Sequence, residues 1–162
     1  MAATDSGTTG VPMISLELMG YPRLQLDGMI PPPQLRWKKH LGLLVLLCSS
    51  RQRQLSRDAA LAMLWGDRPE HDARHSLNEA IRVFRRCCGP GAIESDSDVI
   101  RWVGALELDT ERFGALERDD PLSAAALIRG EWCQGYVVAG APEFERWLDD
   151  QRRRWRPRIV AV

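Results

Sequence analysis

The stretch Ala73–Cys88, ARHSLNEAIRVFRRCC, has the spacing of an amphipathic helix. Its apolar residues recur every three or four positions and would form one stripe: Leu77, Ala80, Ile81, Phe84 and Cys88. The opposite side is polar and rich in arginine, and the Gly-Pro-Gly that follows Cys88 ends the helix. Whether this polar side is only hydrated or contacts a ligand depends on what surrounds the helix in the chain.

Two further helices precede this one, and a hairpin follows it. An apolar stripe predicts a first helix over residues 36–49, and Ser56 as N-cap with Gly66 as terminator bounds a second. The segment 67–72 between the second and third helices is typical of a loop. Further on, Ile93 and residues 99–103 flank a Ser-Asp-Ser-Asp centre, which predicts a hairpin with a short turn.

The residues before the first helix predict strands. ISLEL at 14–18 and RLQL at 23–26 alternate between apolar and polar residues, which predicts a small antiparallel sheet. The order strands, three helices, hairpin is that of a winged helix-turn-helix with an added N-terminal sheet. The second and third helices would be the turn pair, and the hairpin would be the wing.

The rest of the chain has helical periodicity from about Glu107. Pro121 and Pro142 suit the first turns of two helices, over residues 121–136 and 142–160. We therefore expect an α+β fold, with a disordered tail at 1–12, a winged helix-turn-helix at 13–104 and all-α helices at 105–162. The last helix runs to the end of the chain without a cap, so we expect a longer parent protein.

Charge is distributed unevenly although the net charge is zero. Residues 34–90 hold eleven basic and five acidic side chains, whereas residues 91–150 hold five basic and fourteen acidic ones. Such asymmetry fits a segment that binds a polyanion joined to a segment with another role. Uneven surface charge without a function is the alternative.

The third helix carries candidate contacts to double-stranded DNA. Asn78 suits adenine, and Arg82 or Arg74 suits guanine, because these side chains match those base edges in the major groove. Other basic residues suit phosphate: Arg85 and Arg86 further along this helix, and Arg36, Lys38 and Lys39 at the start of the first. In the hairpin, Arg101 is the one cation beside an acidic tip, so the wing either contacts DNA weakly through Arg101 or only closes the core.

Other classes of function have little support in the sequence. His71 and His75 have metal-ligand spacing, but Pro69 and the loop composition argue against a shared helical face, so we expect no metal site. No motif for phosphate binding or nucleophilic catalysis is present, and we expect neither a cofactor nor enzyme activity. The four cysteines form no disulfide framework, which favours a cytoplasmic protein, and the apolar run 41–47 is too short to cross a membrane.

The stretch LSRDAALAMLWGDRPEHDARHSLNEAIRVFRR at 55–86 resembles the matching part of the SARP-type transcriptional activators. The residues that carry the resemblance are Leu64–Asp67, Pro69, Ala73, Arg74, Ser76, Leu77 and Arg82. LELDTERFGAL at 106–116, Arg129-Gly130-Glu131 and FERWLDDQRRRW at 144–155 resemble the start of the activator domain of that family. The resemblance covers roughly residues 14–158.

This resemblance implies an OmpR-like winged helix-turn-helix followed by tetratricopeptide-like helices of a bacterial transcriptional activator domain. It also implies that the third helix reads DNA and that the preceding loop lies near RNA polymerase. Carried over, the base-reading residues would be Arg74, His75, Asn78, Glu79 and Arg82. The polymerase-loop residues would be Asp67, Arg68, Glu70 and Asp72.

The sequence thus predicts a DNA-binding transcription regulator, an activator by resemblance, whose helical tail could also mediate self-association. The alternative is a protein-interaction module that uses the same scaffold without specific DNA binding. A metal-dependent module is a distant third.

Overall fold

The computed structural model describes residues 11–162, and the tail predicted for residues 1–12 falls almost wholly outside them. Strands β1 (Ile14–Glu17) and β2 (Arg23–Leu26) come first, followed by a 3-10 turn at Pro33–Arg36 and helix α1 (Lys38–Ser49). Strand β3 (Gln54–Ser56) leads into α2 (Arg57–Trp65), and α3 (Glu70–Cys88) follows after a short turn. Next come β4 (Ile93–Ser95), β5 (Val99–Trp102) and β6 (Leu106–Leu108), and then α4 (Asp109–Leu116), α5 (Pro121–Ala125) and α6 (Pro142–Val160).

Two three-stranded sheets flank the helices. In the first, β1 lies between β2, which is antiparallel to it, and β6, which is parallel to it. In the second, β5 lies between β3 and β4, and both pairs are antiparallel. The hairpin predicted after α3 is thus present as β4 and β5, with a turn at residues 96–98.

Helix α1 lies at the centre of the molecule. Its apolar run from Leu41 to Leu47 is wholly buried, as expected for a helix that is hydrophobic all round. A side chain at Gly42 would meet Leu64 of α2 at 3.1 Å and Phe144 of α6 at 3.4 Å. Glycine at this position therefore lets α2 and α6 both approach α1 closely.

The predicted order of strands, three helices and hairpin is present, but the structure differs from the prediction at several points. Strand β3 was not foreseen, because its three residues are too few to show alternation. The tail is not all-α, because Leu106–Leu108 adds a parallel strand to β1, and the N-terminal sheet is therefore mixed rather than antiparallel. Two further differences concern where α3 begins and where α5 ends.

Helix α3 begins at Glu70, within the segment predicted as a loop. Pro69 provides its N-cap backbone, and the acidic side chains Glu70 and Asp72 in the first turn interact favourably with the helix dipole. Helix α5 was predicted to run to residue 136 but ends at Ala125. Beyond it the backbone pairs with the segment after β1: Arg129 N–H donates to the Met19 carbonyl and Cys133 N–H to the Leu18 carbonyl, each at 2.8 Å.

The C-terminal residues are joined to the N-terminal sheet by a buried carboxylate. Asp109 Oδ1 accepts from Leu18 N–H at 2.8 Å, and Asp109 Oδ2 accepts from Met19 N–H at 2.8 Å. Burial raises the pKa of the Asp109 carboxyl against the lowering effect of these donors. This contact holds the end of β1 against the start of α4.

Candidate nucleic-acid interface

Helix α3 has a buried side and an exposed, basic side. All five residues of the predicted apolar stripe are buried, and Phe84 packs edge-on against Trp102 of β5 with 5.7 Å between ring centroids. This packing fixes α3 against the hairpin sheet. The exposed side of α3 therefore has one orientation relative to the β4–β5 turn.

A groove of about 620 Å³, which we call the hairpin groove, lies between α3, the start of α2 and the β4–β5 turn. Its lining includes four arginines, which come from two helices, and two aspartates: Arg57, Arg74, Arg82, Arg85, Asp58 and Asp96. Asn78 lies in the same groove. The structure therefore brings Arg74, Asn78, Arg82 and Arg85, all predicted to contact DNA, to one surface.

Arg57 was missed by the sequence analysis, yet it contacts every wall of this groove. Its backbone N–H donates to the Asp98 carbonyl at 2.8 Å. Its guanidinium donates to Ser95 Oγ at 2.6 Å and to Asn78 Oδ1 at 2.5 Å. The position just after the Ser56 N-cap could have drawn attention to Arg57, because the first turn of one helix of a turn pair lies close to the other helix.

Arg74 and Arg82 are ion-paired but exposed. Arg74 bonds Glu70 at 2.6 Å and Arg82 bonds Glu79 at 2.6 Å, both within α3. The two guanidinium side chains remain 60% and 65% exposed. Exposed pairs of this kind contribute about 0–1 kcal/mol, so both arginines can exchange their partners for a ligand at little cost.

The two arginines at the end of α3 differ in their surroundings. Arg85 is half-buried, and its Nε donates to the Ile93 carbonyl at 3.2 Å, which links α3 to β4. Arg86 is exposed. Of the two, Arg86 has the freer side chain for a phosphate, whereas Arg85 also supports the hairpin.

His75 and Glu79 lie on the other side of α3, in a second groove of about 380 Å³. Trp37, Lys39 and Arg68 line this groove with them. The residues predicted to read bases are therefore divided: three face the hairpin groove and two face α1.

The basic residues at the start of α1 are also divided. Lys38 is exposed, but its ammonium group donates to Tyr21 Oη at 2.9 Å and lies over the rings of Tyr21 and Tyr136. Lys39 pairs with Asp67 at 3.4 Å, and its side chain is only 19% exposed. Arg36 is exposed.

One aspartate of the hairpin tip, Asp96, is hydrogen-bonded to the backbone of its own turn. Asp96 Oδ1 accepts from the N–H groups of Asp98 and Val99 at 2.7 and 2.8 Å, and these bonds lower the pKa of Asp96. Arg101 donates to Gln54 Oε1 of the neighbouring strand β3 at 2.9 Å. The tip is thus a closed turn with Arg101 on the exposed side of its sheet.

The residues predicted to form a polymerase loop lie in two settings. Asp67 and Arg68 are in the turn between α2 and α3, where Arg68 donates to Ser76 Oγ at 3.1 Å. Glu70 and Asp72 are in the first turn of α3, not in a loop, and both are exposed. Glu70 and Asp72 thus give the N-terminal end of α3 an acidic surface that is accessible to a partner.

The two histidines considered as ligands do share a helical face, contrary to the sequence-based expectation, because α3 begins before His71. Among residues 11–162, no group of three or more His, Cys, Asp or Glu side chains is placed to hold a metal ion. None of the helices described in that range is long and apolar enough to span a membrane.

No family model matches the chain, and no curated protein matches it. Among solved structures, it is similar to Mycobacterium tuberculosis EmbR in complex with a low-affinity phosphopeptide, with a TM-score of 0.66 and 17% sequence identity. The similarity covers 93% of this chain and 44% of the EmbR chain. The chain therefore shares its mixed fold of small sheets and several helices with EmbR and spans less than half of that protein's length.

Proposed function

We propose that this chain is a sequence-specific DNA-binding transcription regulator of the SARP type and that it acts as an activator. Residues 13–104 form the winged helix-turn-helix, and residues 105–162 form the start of a helical activator domain. The observation that carries the proposal is the groove in which arginines of α2 and α3 converge beside the polar side of α3. The fold shared with EmbR and the sequence resemblance support it.

The geometry of α3 suits entry into a major groove. A helix of 19 residues is about 28 Å long, and the major groove of B-DNA is about 12 Å wide and admits one helix. Arg74, Asn78 and Arg82 are spaced by four residues and so form one line along the helix. In the proposed complex, this line contacts base edges.

Phosphate contacts would come from cations around this line. Arg86 at the end of α3, Arg36 before α1 and Arg101 in the hairpin sheet are exposed and suit the two backbones beside the groove. Lys38 is exposed too, but it suits a phosphate less well, because its ammonium group already bonds Tyr21 Oη and lies over two tyrosine rings.

The other partners are also part of the proposal. The acidic first turn of α3 would contact RNA polymerase while the rest of the helix lies on DNA, and the helical tail would mediate self-association. The protein would act in the cytoplasm without a cofactor and without catalysis.

A selection of bound duplexes from a randomised pool, followed by mobility-shift titration on the selected site, tests the proposal. Arg82→Ala and Asn78→Ala should each lower specific affinity by about 1–3 kcal/mol, because each removes a base contact. Arg86→Ala should weaken specific and non-specific binding alike, since a phosphate contact carries no sequence information. Arg153→Ala, which removes an exposed arginine of α6 that pairs with Asp150, is the control with the same change of charge.

Salt dependence distinguishes this function from the alternative of a protein-interaction module. Binding to DNA should weaken steeply as the salt concentration rises. The logarithm of the affinity should fall linearly with the logarithm of the salt concentration, with a slope of about 0.9 for each phosphate contacted. Failure to select any sequence, or equal affinities of the three interface variants and the wild type, would exclude the proposed use of α3.

A further inference from the structure

Two exposed arginines one turn apart on α3 differ in their electrostatic surroundings. Arg82 Nη1 donates to Glu79 Oε2 at 2.6 Å, so Arg82 has a counter-ion within the protein. Arg86 is exposed too, and it forms no salt bridge with any residue in the range 11–162. In the proposed complex Arg82 contacts a base and Arg86 a phosphate, so the counter-ion belongs to the arginine that contacts a base.

Glu79 lies beside the line of base-contacting residues and not on it. It follows Asn78 directly, and it lines the groove that faces α1. A helix with its side chains is about 10–12 Å wide and the major groove is about 12 Å wide, so the helix fills the groove. A side chain beside the base-contacting line therefore faces a phosphate backbone. An unpaired carboxylate at this position would be repelled by the phosphates, because like charges that are brought together disfavour a complex.

The ion pair can stay intact when Arg82 contacts a base. A guanidinium group has several N–H donors, and Glu79 accepts from one of them. The side chains of Arg82 and Glu79 are 65% and 38% exposed, so a base can approach Arg82 while the pair is formed. A base edge accepts from two donors at most and carries no net charge. In a specific complex, Arg82 therefore still neutralises the carboxylate beside the backbone.

The ion pair opposes binding when Arg82 contacts a phosphate. Non-specific binding comes from the neutralisation of phosphates by lysine and arginine. If Arg82 moves to a phosphate, Glu79 loses its counter-ion and its carboxylate stays close to the same backbone. Charges are screened over about 10 Å at 0.1 M salt, so this repulsion is felt at physiological ionic strength. A phosphate contact by Arg82 therefore contributes less affinity than one by Arg86.

We propose that Glu79 is a specificity-determining residue that acts through its charge: it lowers the affinity of this protein for DNA of unrelated sequence and leaves the affinity for the recognised site nearly unchanged. The effect does not depend on which base Arg82 contacts. This inference rests on the proposed DNA-binding function and adds to it the residue that limits non-specific binding.

The test compares two duplexes of equal length, the site selected from the randomised pool and a scrambled version of it, in mobility-shift titrations. Glu79→Gln should raise the affinity for the scrambled duplex about threefold to tenfold and that for the selected site less than about twofold. The salt slope for the scrambled duplex should steepen by about 0.9, the value for one additional phosphate contact. The slope for the selected site should stay constant.

Two further variants separate the charge of Glu79 from other effects. Glu79→Asp keeps the charge and should keep the ratio of the two affinities close to that of the wild type. Glu143→Gln removes the same charge from an exposed ion pair of the same spacing on α6, where Glu143 bonds Arg146 at 2.8 Å. This matched control should leave both affinities unchanged.

The outcomes distinguish this inference from the proposed function. An equal rise in affinity for the two duplexes, or no rise for the scrambled one, would overturn the role of Glu79 while DNA binding stands. So would the same change in Glu143→Gln, or a ratio that falls as far in Glu79→Asp as in Glu79→Gln. A wild-type protein that selects no sequence would overturn the proposed function and this inference with it.

Discussion

Removal of the Asp109 carboxylate should destabilise the whole fold. The side chain satisfies two backbone donors, Leu18 N–H and Met19 N–H, at 2.8 Å each. Leu18 and Met19 are 1% and 0% exposed, so water cannot replace the lost acceptor. Each buried donor left without a partner costs about 1–3 kcal/mol, which gives about 2–6 kcal/mol for Asp109→Ala.

The net loss should lie in the lower half of that range. Burial raises the pKa of the Asp109 carboxyl, so the folded state bears a desolvation cost that the alanine variant no longer has. We expect the free energy of unfolding to fall by about 2–4 kcal/mol, a large part of the 5–15 kcal/mol typical of a folded domain.

Urea denaturation followed by tryptophan fluorescence measures this change, with the m-value expected to stay constant. Asp109→Asn and Asp27→Asn form a matched pair. Asp27 also accepts from a backbone donor, Met13 N–H at 2.8 Å, but at the surface. Asp27→Asn should cost less than about 0.5 kcal/mol, because water replaces the contact. A loss below about 0.5 kcal/mol for Asp109→Ala, or equal losses for the two asparagine variants, would refute this reasoning.

Two further predictions concern other buried or capping groups. Burial lowers the pKa of His40, whose Nδ1 bonds the Gln34 carbonyl at 2.8 Å, so the unfolded chain binds a proton more tightly than the folded one. The free energy of unfolding should therefore fall as the pH drops below about 6.5, by at most about 1.4 kcal/mol per pH unit. Denaturant titrations at pH 7.5 and 5.5 measure this loss, which should be smaller in His40→Gln. Ser56→Ala removes the cap on Ala59 N–H at 3.0 Å and should cost about 1 kcal/mol by urea denaturation, whereas Ser56→Asp should cost little because aspartate caps equally well.

Strong sequence patterns predicted the right elements, because the side chains that a helix or strand buries recur along the chain with a fixed period. The stripe of α3 and the uninterrupted run 41–47 of α1 are both buried as predicted. Strands β3 and β6 escaped detection, since three residues carry too little periodicity and each depends on a partner strand distant in sequence. The early end of α5 has the same origin, because Arg129 and Cys133 bond the segment after β1.

The sequence predicted individual residues of the candidate interface but not the contacts that these residues make with distant parts of the chain. Spacing placed Arg74, Asn78 and Arg82 on one helix face, and the structure keeps them together. Spacing could not show that Arg57, twenty-one positions before Asn78, donates a hydrogen bond to its carboxamide oxygen. Nor could it show that Lys38 lies over two tyrosine rings, because both tyrosines come from distant parts of the chain.

The C-terminal residues belong to the same core as the helix pair. Tyr136 Oη donates to the Lys38 carbonyl, Phe144 lies 3.4 Å from the point that a Cβ at Gly42 of α1 would occupy, and Asp109 caps the end of β1. A chain cut after residue 104 would expose the apolar face of α1 and leave the Leu18 and Met19 donors without an acceptor. The helices after β6 therefore stabilise the fold that positions α3, and a partner that binds these helices would act on the interface through a shared core instead of through a flexible linker.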